Sequence, residues 1–174
     1  MNEFLAALSL FDNPDLDFKD NFVVITESGT KTSKALKYWY SDASVVTTPS
    51  KDVTMPESEV SFTLESNMLS DVQKAAAVIG APDMVLEAMS KGLAVLKVTD
   101  KKNTTANDYA ESVEVVNEDG KDVPYKFWFK VENLKLLSGK YGVEVCSKNI
   151  SHFVNKNVGV QYWIVLEPES VYDA

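Results

Sequence analysis

The chain has 174 residues, 45% of them hydrophobic, which is enough for one large or two small domains with real cores. Its 26 acidic and 17 basic residues give a net charge of −9, and all 17 basic residues are lysine. This balance argues against a protein that coats nucleic acid, and the lack of arginine excludes bidentate readout of guanine. It still allows a few lysines gathered on one surface to attract a polyanion.

Two other features of the composition indicate the compartment. No apolar run reaches the length of a membrane span, and Met1-Asn2-Glu3 lacks the basic region of a signal peptide, so we expect a soluble, uncleaved protein with no membrane partner. The single cysteine, Cys146, excludes an intrachain disulfide and fits a reducing compartment.

The first part of the chain predicts one helix and three strands. Residues 2–11 have the period of an amphipathic helix, which Asn13-Pro14 ends. The apolar side of this helix is expected to contain Phe4, Leu5, Leu8 and Phe11. The strands are predicted at 15–19, 22–27 and 34–41. Segment 42–57 is polar, contains two prolines and shows no sustained period, which is typical of an extended linker.

The second part of the chain begins with a strand and a longer helix. Apolar residues at Val60, Phe62 and Leu64 alternate with polar ones, as in a half-buried strand. A helix is predicted over 68–80, with Ser66 or Asn67 as its cap and Gly80 at its end.

Seven further strands and a short helix follow. The turn Asp119-Gly120 predicts a hairpin between the strands on either side of it. The short helix is predicted over 131–137. The strands are predicted at 84–90, 93–99, 108–118, 123–130, 140–148, 150–156 and 159–167.

The predicted elements repeat. Residues 4–41 and 131–166 both read as a short apolar helix followed by three strands that close on a Tyr-Trp pair, Tyr38-Trp39 and Tyr162-Trp163. The order strand–helix–three strands occurs twice from residue 58 onward. A duplicated unit of this kind predicts an α+β scaffold, and such scaffolds usually bind rather than catalyse.

A catalytic or metal-binding constellation is not found in the sequence. The single histidine, His152, lies in a predicted strand without a partner that would make it a base, and Cys146 has no plausible histidine partner. The acidic stretch from Asp12 to Asp20 fails the calcium-loop pattern, because the sixth position counted from Asp15 is Asp20 instead of glycine. We therefore expect no catalytic residue, no metal and no cofactor.

Two lysines lie on the exposed sides of predicted helices. Lys74 projects almost opposite the apolar face of helix 68–80, and Lys135 points out of helix 131–137. One interpretation is that both are ordinary solubilising lysines. The other is that both helices lie on the same side of the sheets, so that the two lysines share one surface that attracts a polyanion without reading its sequence.

Several motifs occur in a familiar order along the chain. They are the opening helix from Asn2 to Leu10, the polar connector, the motif Asn133-Leu134-Lys135 followed by Gly139-Lys140-Tyr141, and the acidic tail Leu166–Asp173. Over nearly the whole chain this order resembles the DNA polymerase sliding clamps of T-even-type bacteriophages. The resemblance implies a DNA-clamp fold with duplicated strand–helix–three-strand units and the helices on one face of antiparallel sheets.

The resemblance also implies a function without chemistry, metal or cofactor. Members of the family form trimeric rings that encircle duplex DNA without sequence preference and tether the replicative DNA polymerase, and a clamp loader opens the ring. The expected role is therefore a processivity factor in the cytoplasm of an infected host cell. The alternatives are a non-catalytic, β-rich structural protein of a virion and an enzyme with a site around His152.

The domain organisation implied by the resemblance is incomplete. Residues 1–41 match the second half of an N-terminal clamp domain whose first half is missing, residues 42–57 the interdomain connector, and residues 58–174 a complete C-terminal clamp domain. A half-domain would expose an apolar sheet face and an unpaired edge, so a dimer or another association is an alternative to the trimer.

The resemblance assigns three groups of site residues. Lys74 and Lys135 are expected to face DNA. The subunit interface is expected between strand 34–41 of one protomer and about 107–117 of the next, with Lys37, Trp39, Tyr109 and Val113 as its residues. A groove for partner peptides is expected from Val45, Val46, Pro168 and Tyr172, although plain packing of the linker is the alternative for the two valines.

Overall fold

The structure is a computed structural model that describes residues 2–29, 34–45 and 53–173. The chain divides into two compact units, Met1–Asp52 and Val53–Ala174, and each is described by itself. In the described residues no helix is long and apolar enough to cross a membrane.

The first unit is one helix against a three-stranded antiparallel sheet. Helix α1 is followed by strands that pair in the order β1-β2-β3, and a 3₁₀ turn, Ala43–Val45, ends the described part of the unit. The bounds are α1 Asn2–Leu8, β1 Pro14–Phe18, β2 Phe22–Glu27 and β3 Ala35–Trp39. These agree with the predicted elements to within a few residues.

The core of the first unit is small. Ala7, Phe11 and Ile25 are buried together, with five partly buried side chains packed against them, namely Phe4, Leu8, Leu16, Leu36 and Tyr38. The prediction that Leu5 belongs to this apolar side is wrong, since its side chain is 56% exposed. Helix α1 ends at Leu8, and Ala7 instead takes the inward position one turn before Phe11.

The second unit is one antiparallel sheet with a helix against it. The strands of the described residues pair in the order β11-β10-β9-β4-β7-β6-β5-β8-β12. The bounds are β4 Val60–Leu64, α2 Ser66–Ile79, β5 Asp83–Ser90, β6 Leu93–Thr99, β7 Tyr109–Asn117, β8 Tyr125–Lys130, β9 Tyr141–Cys146, β10 Ile150–Asn155, β11 Val160–Val165 and β12 Val171–Tyr172. A 3₁₀ turn, Val131–Leu134, connects β8 towards β9.

The second unit contains the predicted duplication. We call β4, α2, β5, β6 and β7 repeat A, and β8, the 131–134 turn, β9, β10 and β11 repeat B. The first strand of each repeat pairs with the three-strand meander of the other, because β4 pairs with β9 (Val60 opposite Val145) and β8 pairs with β5 (Lys130 opposite Asp83). This cross-pairing joins both repeats into one sheet and one core.

The predicted hairpin at Asp119-Gly120 is wrong. Gly120 does adopt the left-handed conformation of a turn, with φ of 72°. However, β7 pairs with β6 and β4, whereas β8 pairs with β5 and β12. The cross-pairing of repeats takes precedence over the local turn signal, since β8 pairs with β5 and buries Tyr125, Phe127 and Phe129 in the common core.

One hydrophobic core lies between helix α2 and the sheet of the second unit. Strand β8 supplies Tyr125, Phe127 and Phe129, which alternate with the outward Lys126 and Trp128 as the sequence predicts. Burial raises the pKa of Tyr125 to about 12, because the charged phenolate is destabilised away from water.

Candidate nucleic-acid interface

Helix α2 lies over the sheet of the second unit and presents its polar side to solvent. Met68, Leu69, Val72 and Ala76 are buried, at the spacing of one helical face. The predicted N-caps, Ser66 or Asn67, are wrong by one or two residues, because Glu65 is the N-cap and its side chain makes no capping hydrogen bond. At the other end Gly80 adopts the predicted left-handed conformation, with φ of 68°.

The second predicted helix, 131–137, is only a 3₁₀ turn. Regular structure ends at Leu134, and Lys135 has φ of −76° and ψ of 61°, outside the helical region. The backbone N–H of Leu136 donates to the Leu134 carbonyl at 2.8 Å, two residues back instead of the four residues of an α-helix, so the chain turns more tightly here than a helix allows.

The 131–134 turn packs against α2. Leu134 is 1% exposed and belongs to the common core. The side-chain amide of Gln73 donates to the Leu134 carbonyl at 2.8 Å. The elements that carry Lys74 and Lys135 therefore lie together on the same face of this sheet.

Both predicted lysines are exposed. The Lys74 side chain is 74% exposed, and its ammonium lies 3.9 Å from the Asp71 carboxylate, one turn earlier on α2. Lys135 is also exposed, and within the described chain no carboxylate lies within 4.0 Å of its ammonium.

A shallow groove runs between α2 and the 131–134 turn. Its volume is about 810 Å³. Small and apolar residues form most of its wall, with Gln73 and Lys135 at its rim; the wall includes Ala76, Ala77, Gly80, Ala81, Pro82, Val131, Leu134 and Leu136. Lys130 and Glu132 also line the groove, whereas Lys74 is not part of its wall.

Two strands of the predicted interface have an unpaired edge. Residues 109–114 of β7 pair with β6, but β4 pairs only with residues 115–117, so the first part of β7 has no partner on that side in the described chain. Strand β3 pairs with β2 and with no other described strand.

The side chains of the predicted interface differ in exposure. Trp39 is 61% exposed, and Lys37 places its ammonium 3.8 Å from the Phe22 ring centroid and 4.4 Å from that of Trp39. Tyr109 is partly buried. Val113 is 5% exposed and points into the core, so only its backbone could contribute to an interface.

The residues predicted to form a peptide groove are found in both units. Val45 is 71% exposed in the first unit, and Val46 lies outside the described residues. In the second unit Pro168 is exposed, whereas Tyr172 belongs to β12 and stacks on Tyr125 and Phe127.

A buried charge network was missed by the sequence analysis. Asp83 is 1% exposed, and its carboxylate lies 2.6 Å from the Lys130 ammonium. The ammonium of Lys101 bonds Glu167 at 3.1 Å and Glu169 at 3.0 Å, which holds the C-terminal segment on the sheet. The hydrogen bond that the Lys130 ammonium donates to the Asp83 carboxylate raises the pKa of Lys130. No local signal could reveal this network, because Asp83 and Lys130 are 47 residues apart.

His152 and Cys146, the two residues considered for catalysis, are held by packing and hydrogen-bond contacts within the sheet. His152 stacks on Trp163 with ring centroids 4.8 Å apart, and its ring nitrogens face Gln161 at 3.0 Å and Glu144 at 3.4 Å. Cys146 is buried, and this burial raises the pKa of its thiol. Over the described ranges, no group of three or more His, Cys, Asp and Glu side chains is arranged to hold a metal ion.

Comparison with solved structures defines the fold. The proliferating cell nuclear antigen of Entamoeba histolytica superposes with a TM-score of 0.59 and 14% identity, over 95% of this chain and 69% of that chain. The PCNA2–PCNA3 complex of Sulfolobus tokodaii superposes with a TM-score of 0.63 and 15% identity, over 97% of this chain and 71% of that chain. The beta sliding clamp of Caulobacter crescentus superposes with a TM-score of 0.57 and 19% identity, over 88% of this chain and 40% of that chain. The fold is a DNA clamp.

Sequence comparison defines the family. No protein-family model matches the sequence. The sliding clamp of Vibrio phage KVP40 is 32% identical over 172 residues, which cover 96% of this chain and 74% of that protein. This chain belongs to the sliding clamp family. The expected resemblance to phage sliding clamps is confirmed, as is the expectation of a processivity factor that is not an enzyme.

Proposed function

We propose that this protein encircles duplex DNA without reading its sequence and tethers a replicative DNA polymerase to it. Family membership carries the proposal, and the packing of α2 with the 131–134 turn on one face of the sheet supports it, because such a face can line a channel. The proposed setting is the cytoplasm of an infected host cell. There a clamp loader opens a homo-oligomeric ring, which is proposed to be a trimer as in the sliding clamps of T-even-type bacteriophages.

We further propose that Lys74 and Lys135 face the DNA. Their exposure and the packing of α2 against the 131–134 turn support this role. A topologically closed ring does not need tight binding, so a few exposed lysines that reach phosphates through water are sufficient.

The proposed assignment of domains follows the same family. The division of the chain after Asp52 falls within segment 42–57, which supports its role as a connector between residues 1–41 and 58–174. Residues 1–41 then correspond to the second half of an N-terminal clamp domain.

Ring closure is proposed to add strand β3 of one protomer to the unpaired edge of β7 in the next. The free edges of both strands support this, since strand addition satisfies their backbone hydrogen bonds. Charge also supports it, because β3 carries Lys37 whereas β7 carries Glu111 and Glu114.

Peptide capture by Val45, Val46, Pro168 and Tyr172 stays a proposal that rests on the resemblance. The high exposure of Val45 leaves it available to a partner. Tyr172 is better placed to hold β12 on β8, because its ring is already stacked on two aromatic neighbours.

The role of the lysines is tested by charge reversal. Lys74→Glu with Lys135→Glu should lower polymerase processivity on a primed circular template, because both changes place negative charge opposite phosphates. The matched control is Lys91→Glu with Lys126→Glu, which alters net charge equally; Lys91 lies in the β5–β6 turn, and Lys126 points away from the core. Equal processivity of the two double variants would refute the assignment of these lysines.

The interface is tested by the oligomeric state. Solution mass measured across a concentration series should show a ring-sized oligomer for the unaltered chain. Trp39→Ala and Lys37→Glu should shift the association to higher concentration, whereas Lys91→Glu should not. An unchanged mass profile for the β3 variants would remove β3 from the interface.

The peptide groove is tested by affinity. A peptide from the C-terminus of the polymerase should bind the Val45→Ala, Val46→Ala double variant more weakly than the unaltered chain. Unchanged affinity would count against capture at these residues.

A further inference from the structure

We propose that acidic residues beside the lysines of the helix layer keep its hold on DNA weak, with Asp71 and Glu65 acting as antagonists of phosphate binding. The inference rests on the proposed function and deepens it. The helix layer is defined here as residues 65–80 and 131–140.

The lysines of the helix layer are matched one for one by carboxylates. The three lysines are Lys74, Lys135 and Lys140, and the three acids are Glu65, Asp71 and Glu132, so the layer has no net charge. Residues 53–174 as a whole contain 12 lysines and 18 acids, a net charge of −6. All of the excess negative charge therefore lies outside the layer, which is neutral rather than basic.

Two of the three lysines are directly paired. The Lys140 ammonium lies 2.6 Å from the Glu65 carboxylate, and the Lys74 ammonium lies 3.9 Å from that of Asp71. The side chains of both pairs are about half or more exposed, from 47% to 74%. Such pairs contribute little to stability, so their main effect is on the potential that a ligand meets.

Asp71 and Glu65 each lie well inside the screening distance of the lysine they pair with. At physiological salt the Debye length is roughly 8 Å, so a phosphate near either ammonium also feels the carboxylate. Lys135 is the exception, with no carboxylate within 4.0 Å in the described chain. The groove beside it has a mostly apolar wall, and Val78 on the outer side of α2 is 85% exposed. The layer thus offers phosphates one lysine that no neighbouring carboxylate compensates.

Removing the acids tests the proposal. Asp71→Asn with Glu65→Gln should strengthen binding of this chain to a 40-base-pair duplex about threefold or more at low salt, because each change uncovers a lysine. The slope of log affinity against log salt should become steeper by up to about 0.9 for each lysine that gains a phosphate. The double variant should also elute from heparin at higher salt.

The matched control separates this effect from net charge. Asp122→Asn with Glu144→Gln removes two exposed carboxylates outside the helix layer, one between β7 and β8 and one on the side of β9 that alternates with core residues. Equal shifts in both double variants, or no shift in either, would overturn the proposal. Failure of the proposed function would look different, since the unaltered chain would then fail to stimulate a polymerase whatever the heparin result.

Discussion

Repeat A and repeat B share one order of strands but differ in the segment after the first strand. In repeat A this segment is α2, with 14 residues and four buried side chains, whereas in repeat B it is a four-residue turn that buries one, Leu134. The sheet tolerates this difference because its register is set by cross-paired strands and alternating burial. The strand framework thus carries the duplication, and the helix layer is free to vary.

The two junctions between the repeats also differ. At the end of β8, Lys130 meets Asp83 at the start of β5, and just after β4, Glu65 meets Lys140 just before β9. The positions correspond and the charges are reversed. The Asp83 side chain is 1% exposed, whereas that of Glu65 is 49% exposed. Burial, rather than distance, should decide which pair matters for stability.

The largest expected effect on stability is at the buried junction formed by Asp83 and Lys130. Asp83→Ala leaves Lys130 and Lys101 without their buried partner, so the free energy of unfolding should fall by about 3–5 kcal/mol. The matched change Glu65→Ala should cost less than about 1 kcal/mol, because that pair is exposed. Urea unfolding of both variants measures the difference, and similar losses would show that burial does not distinguish the junctions.

The next effect is at the single anchor of the 131–134 turn. Leu134→Ala should lower the free energy of unfolding by about 3 kcal/mol, because it opens a cavity in the common core. Leu137, three residues later, is 58% exposed, so Leu137→Ala is a control expected to be nearly neutral. A small effect at Leu134 would mean that repeat B does not depend on the turn.

The smallest expected effect on stability is at β12, the strand that pairs with the edge of β8. The Tyr172 hydroxyl donates to the Asp119 carboxylate at 2.6 Å, and this hydrogen bond lowers the pKa of Asp119. Tyr172→Phe keeps the aromatic stack and should cost about 1 kcal/mol.

The same contact predicts a dependence on pH. Because the pKa of Asp119 is lowered on folding, its contribution is complete above the ordinary value of 3.8 and is lost as pH falls through the lowered value. An NMR titration should find the Asp119 pKa closer to 3.8 in the Tyr172→Phe variant than in the unaltered chain. An identical titration in both would show that the hydroxyl does not stabilise this carboxylate.

The strands were predictable because their signal is local. Alternating burial in β4, β6 and β8 can be read from Val60–Leu64, Leu93–Thr99 and Tyr125–Lys130, and the observed bounds lie within about two residues of the predicted ones. Helix α2 was predictable for the same reason, since its apolar face repeats at helical spacing and Gly80 marks its end.

Features that depend on distant partners were not predictable. The Asp119-Gly120 turn has the residues of a hairpin, but the pairing of β8 is decided by β5, more than thirty residues earlier. At 131–137 the sequence pattern predicts a helix, whereas the backbone leaves the helical region at Lys135 after a single 3₁₀ turn. At the candidate interface, the exposure of Lys74 and its closeness to Asp71 are local features of one helix, whereas the packing of α2 against the 131–134 turn joins Gln73 to Leu134, 61 residues later.

The cross-pairing of β4 with β9 has a consequence for synthesis. Residues 60–64 find their partner only at 141–145, about eighty residues later, so the sheet cannot close while that stretch is still inside the ribosome. A ribosome-bound nascent chain would leave one edge of β4 uncovered until nearly the whole second unit has emerged. Closure of this sheet should therefore come late in the synthesis of the unit and be comparatively slow.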